Sequence, residues 1–141
     1  LITQPDPLKS TGTWEGFLAS RLNYFLNLRG PSMVIDTACS SGMVALHQAC
    51  HALRNGECEM ALAGGVAIGC GGEGKKEDGE LSAVGAVSSK DNRVRTFDDK
   101  CSGSVFGEGV AVVLLKPLKA AVQDGDHIYG IIKGSAINCD G

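Results

Sequence analysis

Apolar and polar positions change rhythm several times along this chain. From about residue 14 to 27, Phe17, Leu18, Leu22 and Phe25 recur at helical spacing and leave one face apolar, with Thr13 standing where an N-cap belongs. Gly30-Pro31 follows as a breaker. Residues 32–35, Ser-Met-Val-Ile, read as a short apolar strand, and the alanine-rich stretch 40–54 reads as a second helix closed by Asn55-Gly56. Residues 60–68 form a continuous apolar run, the pattern of a strand covered on both faces. Residues 110–115 and 128–137 predict two more strands. Between them, Pro117 fits the first turn of a short helix that ends at Gly125. Strand, helix and strand in this order predict an α/β chain with a crossover unit and largely parallel pairing. Residues 69–100 are rich in glycines, lysines and acids and predict a long loop with short elements. There is no internal repeat and no dividing linker.

The chemistry lies where the 32–35 strand passes into the 40–54 helix, because Cys39 stands at that junction. Unpaired N–H groups and the positive end of the helix dipole favour a thiolate at such a position. The small neighbours Ala38, Ser40, Ser41 and Gly42 leave room for an acyl group, and the Cys39 backbone N–H is placed to donate to the oxyanion formed on attack.

Composition narrows the class. The chain has 141 residues, a net charge of −3 and no basic block, which argues against a nucleic-acid partner. No apolar run reaches the roughly 18 residues of a membrane span, and the N-terminus lacks a signal-peptide layout. Six cysteines in a chain of this length do not make a disulfide scaffold, so the others read as reduced, in a cytoplasmic protein.

Other constellations have plainer explanations. His47, Cys50 and His51 lie one helical turn apart and have Cys58 nearby, but structural zinc sites use tightly spaced ligand pairs, so a polar helix surface is the reading and no metal is expected. Gly69-Cys70-Gly71-Gly72-Glu73-Gly74 lacks the lysine and serine of a phosphate loop. A turn entering the 110–115 strand accounts for the glycines of Phe106-Gly107-Glu108-Gly109 as well as ligand binding does. His127, beside Asp126, belongs to a surface turn and completes no triad.

Asp36-Thr37-Ala38-Cys39-Ser40-Ser41 resembles the active-site signature of β-ketoacyl synthase (ketosynthase) domains of modular type I polyketide synthases. The resemblance extends over Ala19-Ser20-Arg21-Leu22-Asn23-Tyr24-Phe25, Leu28-Arg29-Gly30-Pro31-Ser32, Ala61-Leu62-Ala63-Gly64-Gly65-Val66, Arg95-Thr96-Phe97-Asp98, Phe106-Gly107-Glu108-Gly109, Leu114-Leu115-Lys116-Pro117-Leu118 and Gly134-Ser135-Ala136-Ile137-Asn138-Cys139-Asp140-Gly141. Gly42 departs from it, standing where a third serine is common.

This resemblance implies a thiolase-like layered α/β fold in which the strands around Ile35, Ala63, Val112 and Ile132 share one sheet. It implies that Cys39 is the acyl-accepting nucleophile, and that a malonyl-type extender on acyl carrier protein then condenses with the acyl group by decarboxylative Claisen chemistry. The partners implied are acyl carrier protein, acyl and malonyl thioesters and a second copy of the parent in a homodimer. No cofactor is expected to bind directly, since substrates ride on the phosphopantetheine arm of the carrier protein. The family's two catalytic histidines sit in His-Gly-Thr-Gly-Thr-like and Asn-Xaa-Gly-His-like motifs that are absent here. Residues 1–141 are therefore expected to be one partial ketosynthase domain, truncated at both ends and inactive in isolation. The alternatives are a ketosynthase of dissociated fatty-acid synthesis and a non-condensing ketosynthase-like docking or dimerisation module.

Overall fold

The computed structural model describes residues 11–12, 14–68 and 87–139. The chain divides into two compact units, one of Leu1–Gly65 with Val112–Gly141 and one of Val66–Ala111.

Helix α1 (Phe17–Phe25) begins later than its apolar spacing predicts. A turn comes first: the Phe17 N–H donates to Trp14 O (3.0 Å), the Leu18 N–H to Glu15 O (2.9 Å), and the Trp14 and Phe17 rings stack at 5.9 Å. Position 13, the expected N-cap, lies outside the described residues. The helix stops upstream of Gly30-Pro31, because Asn27 takes a left-handed φ of 52°. The Asn27 and Leu28 N–H groups then turn back to the Tyr24 and Asn23 carbonyls, at 3.3 and 2.8 Å, and satisfy the last turn. Gly30 has its own reason to be glycine, since a Cβ there would stand 3.3 Å from the Cys58 Cβ.

A 3-10 turn at Ala38–Ser40 leads into α2 (Ser41–Arg54), close to the expected 40–54. Its end is the one Asn55-Gly56 foretells. Gly56 has a φ of 72°, its N–H donates to Leu53 O (3.2 Å), and the Glu57 N–H donates to Ala52 O (2.9 Å). Strands β1 (Ala61–Ala67) and β2 (Gly109–Leu115) pair in a two-stranded sheet. Pro117 is the N-cap of α3 (Leu118–Asp124), just ahead of the helix, and Gly125 (φ 71°) closes it.

Two expected strands do not form. Residues 32–35 and 128–137 form no strand among the described residues. Apolar content marks residues that seek cover, but a strand also needs a neighbouring backbone, and β1 and β2 pair only with each other. The four-strand sheet around Ile35, Ala63, Val112 and Ile132 is thus reduced to the Ala63 and Val112 strands, and the crossover after β2 is not completed. Both apolar strands stand largely uncovered: Ala63 alone is buried in β1, and nothing is buried in β2. Residues 69–86 of the expected long loop lie outside the described residues, and residues 87–100 are mostly turns.

Buried positions among the described residues are Cys50, Ala63, Ala121 and Ser89. In the unit Val66–Ala111, the Ser89 Oγ, with one proton to donate, lies 2.9 Å from both Asp91 Oδ1 and Arg93 O, accepts from the Arg93 N–H (3.2 Å) and lies 3.2 Å from Ser102 Oγ. A parallel bridge joins Ser88 to Ser104 beside it.

Candidate active site

The residues before α2 fold into a turn held by its own side chains. The Ala38 N–H donates to Asp36 Oδ1 (3.0 Å), and the Ser40 hydroxyl to Thr37 O (2.7 Å) with Thr37 Oγ1 at 2.8 Å. Ser41 spans the turn: its Oγ accepts the Thr37 N–H (2.9 Å) and donates to Ala38 O (2.7 Å). These bonds hold Ala38 at a left-handed φ of 53°, unusual for a residue with a side chain. Small polar residues favour this geometry because their short side chains reach neighbouring backbone groups.

Cys39 sits in the middle of that turn, exposed, with the first residue of α2 two positions on. Its thiol and its backbone N–H make no hydrogen bond among the described residues, so both are open to an incoming group. The turn is seated on the sheet through two glycines: a Cβ on Gly65 of β1 would lie 3.8 Å from the Gly42 Cα. Nothing lies within 4 Å of a Cβ added at Gly42 itself, so the serine common at that place in the signature fits here too.

The structure separates the other candidates. The His47 and His51 rings meet at a tilt of 38° with centroids 4.4 Å apart, while Cys50 is buried and Cys58 lies against Gly30. No three His, Cys, Asp or Glu side chains group to hold a metal among the described residues. His127 packs edge-on against Tyr129 at 4.5 Å. Cys39, Cys50, Cys58, Cys101 and Cys139 are free thiols. Residues 69–74, the glycine run, lie outside the described residues. One relationship escaped the sequence reading: His47 Nδ1 lies 2.9 Å from Ser135 Oγ, tying α2 to a segment 88 positions away. Apolar periodicity carries no signal for a bond between two polar side chains so far apart.

Ion pairs form at Lys116 and at Arg95. Lys116 pairs with Asp124 and with Asp126 (2.6 Å), and the two carboxylates, Asp124 first, raise the lysine above its ordinary value. The Arg95 guanidinium grips both oxygens of Asp91, at 3.0 and 2.6 Å, and with help from the Ser89 hydroxyl holds that carboxyl well below the usual carboxylate range.

An open cysteine stands in a 3-10 turn that leads into a helix, and the Beta-ketoacyl synthase, N-terminal domain family matches residues 4–121, so the chain belongs to that family. Among its relatives are the Polyketide synthase PksM of Bacillus subtilis (48% identical over 130 residues, 92% of this chain) and the Polyketide synthase ThaG of Burkholderia thailandensis (46% over 139 residues, 96% of this chain). Among solved structures, the ketosynthase from module 6 of the bacillaene synthase of Bacillus subtilis 168 matches over the whole chain, with 40% identity and a TM-score of 0.78. The fold is therefore part of the thiolase-like α/β architecture of ketosynthases. The chain spans 3% and 2% of the two synthases and 25% of the solved ketosynthase chain. No helix among the described residues is long and apolar enough to cross a membrane.

Proposed function

We propose that this chain is part of one ketosynthase domain of a modular polyketide synthase, acting in the cytoplasm as a homodimer, and that Cys39 is its acyl-accepting nucleophile. The reading is supported most by Cys39 standing open, thiol and N–H together, in a turn that leads straight into α2. The thiolate attacks the thioester carbonyl of an acyl group delivered on the phosphopantetheine arm of acyl carrier protein. Its N–H stabilises the tetrahedral oxyanion, and the carrier thiol leaves. A malonyl-type extender on a carrier protein then loses carbon dioxide, its enolate attacks the Cys39 thioester, and the Cys39 thiolate departs as the new carbon–carbon bond forms. The groups that stabilise the enolate belong to the remainder of the domain, since His47, His51 and His127 match neither histidine motif of the family. Cys39→Ala in the full-length protein tests this: the variant is expected to keep its fold and lose acyl-enzyme formation. Acylation that persists in it would remove Cys39 from the mechanism.

A further inference from the structure

Residues 127–139 run outside helix and strand, and each is exposed. A segment of that kind has no ladder or helical turn of its own to place it, so side-chain ties decide where it lies. His47 supplies one, with its Nδ1 2.9 Å from Ser135 Oγ. The imidazole is half-buried, its ring lies against His51, and the buried Cys50 stands one turn further along α2. His47 thus stands on α2 between the exposed Met43 and His51, and Ser135 is fastened to it.

That helix is also the support of the cysteine turn. Cys39 and His47 are eight positions apart, roughly 12 Å along the axis of a rigid rod. Met43 lies between them, one turn from each, and is 70% exposed; Ile137, two residues past Ser135, is 48% exposed. An apolar chain covering such side chains removes surface that water disfavours.

We infer that His47 is a positioning residue for acyl transfer: through Ser135 it holds residues 134–138 beside the Cys39 helix, where Ile137 with Met43 lines the path of an acyl thioester to the thiol. The inference rests on Cys39 being the acyl acceptor.

The test is a double-mutant cycle in the full-length protein. His47→Ala, Ser135→Ala and the double variant are compared with wild type in single-turnover acylation by an acyl-pantetheine thioester. Alkylation of Cys39 by iodoacetamide is measured alongside, because it needs the thiol but no seated acyl chain. Each single variant is expected to slow acylation on the order of 10- to 100-fold, with the double variant no slower than the slower single. Alkylation stays unchanged, and His47→Asn, whose amide can reach the same hydroxyl, recovers most of the rate. If His47→Ala does not fold, His47→Asn and the exposed Ser135→Ala carry the comparison. Acylation unchanged in the single variants, losses that multiply in the double, or alkylation falling in step with acylation overturns the inference. Wild-type protein acylated elsewhere than Cys39 overturns the reading beneath it, whereas acylation at Cys39 with a flat cycle overturns this inference alone.

Discussion

Gly65 of β1 faces Gly42 of α2 so closely that a Cβ on Gly65 would touch the Gly42 Cα at 3.8 Å. A methyl group fits at that distance in ordinary van der Waals contact, and the two further methyls of a valine bring more bulk beside the Gly42 backbone. Gly65→Ala is therefore expected to change thermal stability by less than about 1 kcal/mol and leave acylation intact. Gly65→Val is expected to cost about 1–3 kcal/mol through overpacking and to slow acylation by shifting the turn that holds Cys39. Thermal melts and acyl-enzyme formation on the two variants decide it; a Gly65→Val protein acylated at the wild-type rate counts against this seating of the turn.

Gly103 has a φ of 139°, and a Cβ there would stand 2.6 Å from the Ser88 carbonyl carbon and from Val87 O. These are backbone atoms that no rotamer change can move aside. Gly103→Ala is expected to destabilise residues 87–104 by about 1–3 kcal/mol, read as faster amide exchange there. Unchanged exchange would mean that Ser88 and Ser104 do not approach as described.

Asp91 is held below its ordinary 3.8, first by its hydrogen bond to Arg95 and then by Ser89. A depressed folded value means that its contribution is fully present above about 3.8 and is lost as pH falls through the folded value. Lys116 has the opposite sign: its folded value is raised, so its contribution is full below about 10.5 and lost only as pH rises through that higher value. Between these limits neither group makes stability depend on pH. Asp91→Asn is expected to flatten the acid limb below about pH 4 and leave neutral stability little changed, because exposed ion pairs contribute modestly and are screened by salt. Acid titration of unfolding for wild type and variant checks this, and an Asp91→Asn protein with an unaltered acid limb would contradict it.

Much of this architecture was legible in the sequence, and the failures share a cause. The α2 ending was readable because Gly56 and Asn55 act locally, and the helix start beside Cys39 was readable because the alanine-rich stretch begins there. The strands at 32–35 and 128–137 were misjudged because a ladder depends on a neighbour that the run itself does not specify. The glycines of Phe106-Gly107-Glu108-Gly109 fitted a turn and ligand binding equally well; neither Gly107 nor Gly109 has a positive φ, and Gly109 opens β2. The clamp of Ser41 across Ala38 and the His47–Ser135 tie involve side-chain bonds to which apolar periodicity is blind.

Phe25 is 82% exposed, and β2 has no buried residue. Uncovered apolar strands recruit other chains, so residues 1–141 expressed alone are expected to aggregate after tag removal and to release no carbon dioxide from malonyl thioesters. Sedimentation with a decarboxylation assay checks both; a monodisperse monomer that turns over at an enzymatic rate would refute the account of these faces.

The central claim concerns one thiol. Brief treatment of the full-length protein with a limiting alkylating reagent near neutral pH, followed by peptide mapping and by a parallel incubation with an acyl thioester, compares Cys39 directly with the free thiols Cys50, Cys58, Cys101 and Cys139. The account predicts that Cys39 is labelled first and is the site that carries the acyl group. Acylation at another cysteine, with Cys39 unmodified, would contradict it.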